Sequence, residues 1–325
     1  MHSPSSKTLL VSGADGFVGK PLCAELSRQG QAVRAAVRST RAGDLAAGNI
    51  ETVAIGEING NTDWTRALLG IKVVVHLAAR VHVMKNNTAD SLDELRKVNV
   101  DGAWNLARQA SDAGVQRFIF ISSIKVNGES TSYGRPYTAE DRPAPIDSYA
   151  ISKFEAEYAL RQLADETGME VVIIRPPLVY GPGVKANFYS MMCWLNKGVP
   201  LPLGAIHNKR SFVALDNLID LIATCVDHPA AANQIFLAGD GEDLSTTELL
   251  QRIGNALGKP AKLFPIPVWA LQAGALLLGK RDIAQRLCNS LQVDIGKACE
   301  LLGWQPPVTV DEALKKAAAD FLQRT

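Results

Sequence analysis

The sequence predicts an α/β fold: a doubly wound parallel sheet with a smaller mixed lobe toward the C-terminal end. Short apolar runs alternate with helix-periodic segments through the first half, a glycine-punctuated turn joins the first run to the first helical segment, and prolines end the alternation near residue 176. Thr8–Ser12 is the first apolar run, and Phe17–Gln29 has helical spacing that stops before Gly30. Ala32–Val37 and Glu51–Ile55 read as the second and third strands, Thr62–Leu69 as a helix. Val73–Leu77, apolar but for His76, reads as a continuous strand of the kind buried on both faces. Val98–Ala113 reads as a helix closed by Gly114, Phe118–Ile121 as a strand, Ser148–Glu166 as a helix and Val171–Arg175 as a strand. Pro176, Pro177, Pro182, Pro200 and Pro202 then punctuate a loop-rich region, and mixed helical segments run from Ser245 onward. Asn233–Leu237 is expected to return to the main sheet.

Hydrophobic residues at 47% and charged residues at 21% fit a globular protein that folds in water. A net charge of +1, without Lys/Arg runs, gives no electrostatic case for nucleic acid as a partner. The cysteines, Cys23, Cys193, Cys225, Cys288 and Cys299, are odd in number and form no Cys-x-x-Cys pair. That argues against a disulfide framework or zinc site and fits a reducing cytoplasm. His82 and His207 lack metal-ligand spacing and read as loop residues; no metal is expected. Thr8–Ser12, behind the polar Met1–Lys7, is too short for a signal peptide. The nearly uncharged stretch Leu263–Gly279 falls short of a bilayer span, so no integral membrane segment is expected. It reads as a buried helix at the lobe's edge, with Trp269 in the lobe core; a peripheral membrane contact is the alternative.

Chemistry starts at Gly13-Ala14-Asp15-Gly16-Phe17-Val18-Gly19, between the first strand and first helix. Gly13 permits a tight turn, Gly16 lets the backbone approach a pyrophosphate, and Gly19 allows helix to sit close on strand. The helix N-terminus offers free N–H groups to phosphates. The expected organisation is therefore a Rossmann-type dinucleotide-binding domain over 1–180, with a return strand near 233–238, and mainly a substrate lobe over 181–325. After the second strand a carboxylate would favour NAD and an arginine NADP. Arg38-Ser39-Thr40-Arg41 stands there, so NADP is favoured over NAD.

Tyr149 and Lys153 lie four apart and share a helix face. A nearby ammonium is expected to lower the phenol from its usual ~10 and make Tyr149 a proton shuttle, while Lys153 holds the nicotinamide ribose. The strand Phe118–Ile121 delivers Ser122 and Ser123 to the sheet's carboxyl edge, where Ser123 is placed to donate to a substrate oxygen.

Glycine turn, edge serine and Tyr-x-x-x-Lys occur in the order of the extended short-chain dehydrogenases. The chain resembles their NAD-dependent epimerase/dehydratase branch over essentially its whole length. By that resemblance Glu57 and Ile58 flank the adenine, Val75-His76-Leu77-Ala78-Ala79 lies beside the cofactor, Asn99 is the family's structural Asn, and Pro176 belongs to the segment leaving the nicotinamide. Arg210-Ser211-Phe212-Val213 with Asp216 is similar to a nucleotide-sugar motif whose Arg holds the diphosphate. Asp294, Lys297, Trp304 and Pro306 are similar to the branch's C-terminal signature. Ser122, Lys125, Asn187, Arg210 and Arg286 are the expected substrate residues, although Lys185, Asn187 and Phe188 equally suit a loop-fixing role, and Arg286 a surface charge. Leu178 stands where UDP-hexose 4-epimerases usually carry Asn, Ser211 where they carry Asp, and no acidic residue adjoins Val37.

The resemblance implies a UDP-sugar substrate, action at sugar C4 and a homodimer. The favoured expectation is an NADPH-dependent UDP-4-keto-6-deoxy-hexosamine reductase of surface-polysaccharide precursor synthesis. Alternatives are a 4-epimerase with retained NAD and a non-catalytic dinucleotide sensor.

Overall fold

A computed structural model describes residues 8–39, 48–81, 88–132, 134–277, 279 and 281–325. In chain order the elements are β1 (Thr8–Ser12), α1 (Gly19–Arg28), β2 (Ala32–Val37), β3 (Ile50–Ala54), α2 (Thr65–Leu68), β4 (Val73–His76), α3 (Thr88–Arg96), α4 (Ala103–Asp112), β5 (Arg117–Ile121), α5 (Ser148–Thr167) and β6 (Glu170–Arg175). They continue with β7 (Leu178–Tyr180), α6 (Ala186–Asn196), β8 (Arg210–Ala214), α7 (Leu215–Asp227), β9 (Ile235–Leu237), β10 (Asp243–Leu244), α8 (Thr246–Ala256), α9 (Val268–Leu277), α10 (Arg281–Cys288), α11 (Gly296–Leu302) and α12 (Val310–Arg324).

Seven parallel strands form the main sheet in the order β3-β2-β1-β4-β5-β6-β9. The order reverses between β1 and β4, and in such sheets the crevice beyond the carboxyl ends at that point takes the ligand. Alternate strand residues serve opposite faces. Leu9, Val11, Val33 and Ala35 join α1, α7 and α11 in one core, and Leu10 and Ala36 join α2, α4 and α5 in the other. β10, β8 and β7 make a second, mixed sheet, whose Phe212 and Leu244 pack with α6, α8 and α12 around Tyr180, Phe188 and Phe321.

Three expectations change. The helix expected over Thr62–Leu69 is a single turn, because Trp64 is buried in the core and the residues before it are held in a loop by Thr62 and Asn59. The helix expected from Val98 begins at Thr88 and passes through a π-helical turn, Lys97–Gly102, before α4. Gly102 is needed there: a Cβ would lie 2.6 Å from Ile58 Cγ2. The stretch Leu263–Gly279 is helical over α9, yet no α9 residue is buried, and Trp269 is 72% exposed instead of in the lobe core. α9 packs on α10, and apolar composition alone did not bury it.

Candidate active site

β1 ends in a turn built for close approach. Gly13 has φ +68°, a left-handed conformation, and a Cβ there would lie 3.0 Å from the Ala78 backbone. A Cβ on Gly19 would stand 2.1 Å from the Gly13 carbonyl oxygen, so the helix start cannot carry a side chain. The Leu77 N–H donates to the Ser12 carbonyl at 3.2 Å, locking the β4 exit beside this turn. Ala78 is half-buried; Asp15, Gly16 and Ala79 are exposed along the crevice, and Phe17 and Val18 are half-buried above it. This cradle fits a pyrophosphate and the N-terminal dipole of α1. Arg38 and Ser39 are exposed at the end of β2, Glu57 is exposed and Ile58 half-buried after β3. Arg41 and His82 lie outside the described residues.

Asn99 sits in the π-turn and is buried. Its Oδ1 accepts from the Arg80 N–H at 2.8 Å, and its Nδ2 donates to the Arg80 carbonyl and to Ser152 Oγ, each at 3.0 Å. The loop after β4 is thereby tied to α5, and Ser152 Oγ in turn donates to the Tyr149 carbonyl at 2.8 Å.

α5 starts where Asp147 caps it, accepting from the Ala150 N–H at 2.7 Å. The other Asp147 oxygen accepts from Lys125 Nζ in a very short contact. Burial raises the Asp147 carboxyl, but the Lys125 and Ala150 hydrogen bonds outweigh it and hold it below the usual carboxylate range. Lys125, expected at the substrate, is thus engaged in pinning the turn after β5 to the start of α5. That turn carries Ser123, whose Oγ caps it by accepting from the Lys125 N–H at 3.3 Å. The Ile124 N–H donates to the Pro176 carbonyl at 3.0 Å, fixing the turn to the β6 exit. Ser123 and Tyr149 are brought to the same edge of the sheet.

Below Tyr149, the next α5 positions on its face are Lys153 and Glu157, at steps of four residues. Lys153 is buried, with Nζ 4.0 Å from the centre of the Phe120 ring. Burial drives its ammonium down to about 7, opposed by Glu157. The Glu157 carboxylate meets the buried Arg175 through Nε at 2.9 Å and Nη2 at 2.5 Å, and Arg175 Nη1 donates to Asn127 Oδ1 at 3.0 Å. The sequence expectation that the ammonium lowers Tyr149 is corrected. Without ligand, desolvation, then Asp147, pushes the phenol up to about 12.

His76 completes the floor. Its Nδ1 is 2.7 Å from Ser12 Oγ, its ring stacks on Phe120, and burial, then Lys153, lowers it to about 3. His76 Nε2 and Ser122 Oγ are buried and have no hydrogen-bond partner among the described residues, two polar atoms from adjacent strands at the ligand edge. They suit the polar groups of a bound dinucleotide.

Across the crevice, Arg210 at the start of β8 donates through Nη1 to the Arg286 and Asn289 carbonyls at 2.9 and 3.0 Å. Its guanidinium is lowered by burial, then by Arg286, whose charge also reaches Asp147. Two arginines side by side suit a diphosphate. Ser211, where the motif would carry Asp, accepts from the Val293 N–H and meets Asp243 of β10 at 2.5 Å, so the carboxylate stands one strand over. Leu178 is exposed, Phe188 is core, and Lys185 and Asn187 are exposed at the start of α6. Asp216 pairs with Lys316 and Trp304 donates to Asp220, so these signature residues serve packing. The sequence reading left Asp147 and Glu157 outside the site and quoted His76 and Arg175 only within motifs. The step of four from Tyr149 to Lys153 to Glu157 was the available signal. Among the described residues no cluster of His, Cys, Asp or Glu is arranged to hold a metal.

Known proteins resemble this chain in sequence and in fold. A UDP-glucose 4-epimerase of Vibrio cholerae is 50% identical over 319 residues, 98% of this chain and 96% of that one. A Bacillus cereus UDP-glucuronic acid 4-epimerase in complex with NAD superposes with a TM-score of 0.78 at 21% identity, covering 97% of this chain and 99% of that one. A Thermotoga maritima UDP-glucose 4-epimerase with UDP-glucose gives 0.75 at 22% identity over 98% and 99%. Residues 9–239 match the family model described as NAD dependent epimerase/dehydratase, and the chain belongs to that family.

Proposed function

We propose that this chain moves a hydride at C4 of a UDP-sugar, and that its net reaction is reduction of a UDP-4-keto-6-deoxy-hexosamine. A bound nicotinamide dinucleotide supplies the hydride. Tyr149 gives its proton to the oxygen at C4; a phenol held at about 12 is the protonated form this direction requires. Ser123 donates to the same oxygen, and Lys153 lies one turn below to hold the ribose and steady the phenol's charge. Arg210 and Arg286 take the diphosphate. The observation that carries the direction is the end of β2, where the exposed Arg38 stands without a carboxylate from 38 to 41 and suits the 2′-phosphate of NADP. The exposed Leu178, which has no hydrogen bond to offer a diphosphate, also departs from the epimerase pattern.

The second reading is a UDP-hexose 4-epimerase with retained NAD, favoured by the Vibrio cholerae relative. In that cycle Tyr149 first takes the hydroxyl proton and later returns it. On either reading we place the protein in the cytoplasm, as a homodimer making surface-polysaccharide precursors. The deciding experiment denatures purified protein, identifies released dinucleotide, and titrates the emptied protein with NADPH and NADH. Little retained cofactor and tighter NADPH binding support the reductase. Stoichiometric retained NAD overturns it in favour of the epimerase. Partner binding with no turnover on either substrate points to the dinucleotide sensor.

A further inference from the structure

No residue of α9 is buried, and its composition is hard to reconcile with water. Val268–Leu277 is uncharged along its whole length, none of it is buried, and Leu277 is 89% exposed beside Leu276 and Trp269. An apolar helix exposed on several sides needs an apolar surrounding rather than a groove on one face. At ten residues it spans about 15 Å, half a bilayer's hydrocarbon thickness. Among the described residues no helix is long and apolar enough to cross a membrane. Such a segment lies along an interface.

A second exposed apolar group adjoins it. The backbone before α9 is stitched to the segment after α6: Leu201 N–H donates to the Lys262 carbonyl at 2.9 Å, Phe264 N–H to Leu201 at 2.9 Å, and Gly204 N–H to Phe264 at 2.8 Å. Trp194, Val199 and Phe264 are exposed on these two segments. Exposed Lys197, Lys259 and Lys262 stand among them. In a chain with 34 basic and 33 acidic residues, neither 249–281 nor 176–215 contains an Asp or Glu; Arg252 on α8 is paired with Glu242 and Asp311, and Arg210 lies in the crevice, so the exposed lysines carry the charge beside α9. Two exposed tryptophans with lysines and no acid match the headgroup region of an anionic bilayer. A second copy of the chain fits poorly, because a twofold contact would bring the exposed lysines of one copy toward those of the other.

We propose that α9, with the Trp194–Phe264 margin beside it, docks this protein on the surface of an anionic lipid bilayer. The inference stands apart from the reading of the active site, since α9 holds none of its residues. Arg286, on the helix that follows, would then place the diphosphate end of the crevice near the membrane plane.

The test uses the full chain and vesicles of phosphatidylglycerol with phosphatidylethanolamine, or of phosphatidylcholine alone. Expected is co-sedimentation with the anionic vesicles, a blue shift of tryptophan emission, and release as salt is raised. Trp269→Glu with Leu277→Glu should lower partitioning at least tenfold, and Lys262→Glu at least fivefold, since it removes one basic residue near such a surface and adds a repelled carboxylate. Both variants should retain the parent's thermal midpoint, and should the first lose it, Lys262→Glu decides. No sedimentation with anionic vesicles, or equal partitioning of parent and Lys262→Glu, overturns the proposal. So does a dimer in solution that the double variant dissociates while vesicle binding is absent, which assigns the surface to a second copy.

Discussion

The two ends of the crevice handle charge in opposite ways. Beneath α5, Lys153, Glu157 and Arg175 are buried, and Glu157 and Arg175 are paired. Across the crevice Arg210 and Arg286 are neighbours whose charges repel. A buried and paired cluster resists reorganisation and holds a proton donor at a fixed height. A pair of like charges is a standing demand for an anion. The difference separates chemistry at one end from recognition at the other, and each half can be broken independently.

The largest effect is expected at the chemical end. Tyr149→Phe should cut turnover by about 10²–10⁴-fold, the usual worth of a general acid, with dinucleotide affinity unchanged by equilibrium titration. Lost affinity instead would mean that Tyr149 mainly builds the pocket. Arg175→Met should come next, since it leaves the Glu157 carboxylate buried without its partner. A loss of about 3–5 kcal/mol is expected in urea denaturation. Arg210→Met tests the other end: KM for the UDP-sugar should rise about tenfold or more while kcat holds, because a charge-assisted hydrogen bond contributes about 1.5–3 kcal/mol. Arg38→Ala should weaken NADPH by a similar factor and spare NADH. An equal loss for both cofactors would remove the argument for a 2′-phosphate.

The last effect is a pH slope. Folded Lys153 titrates at about 7, whereas unfolded it titrates at its ordinary 10.5. Above pH 7 the unfolded chain binds the extra proton, so the ligand-free protein should gain stability as pH rises from 7 toward 10. Tyr149, raised to about 12 from 10, reverses the trend above that range. Lys153→Met should flatten the rise, as followed by denaturant midpoints across pH.

The sheet was legible because its signal is local. Continuous apolar runs such as Val73–Val75 mark strands buried on both faces, and Gly13 and Gly19 sit where a Cβ finds no room. Tyr149 and Lys153 stand four apart on α5, and Ser123 follows directly after β5, so their placement was local in the sequence too. What escaped depends on pairs distant in sequence. The Lys125–Asp147 contact, between residues 22 apart, braces the turn after β5 against the start of α5, a pairing no local pattern reports. Tyr149's direction of shift escaped because desolvation depends on tertiary depth, which no four-residue spacing reports. α9 escaped because hydrophobicity gives the appetite for burial but not its address.

The π-turn at Lys97–Gly102 constrains the lineage of this chain in its own way. Asn99 can hold Arg80 and Ser152 only while the turn is widened, and α4 leaves that turn with Leu106 and Ala110 facing the core. Removing one residue from the turn would rotate everything after it by about 100°. Leu106 would swing off the sheet and Asn99 would lose its grip on α5. Substitutions can accumulate around this turn, but its length is fixed, so alignments of descendants should show changed letters there and no gaps.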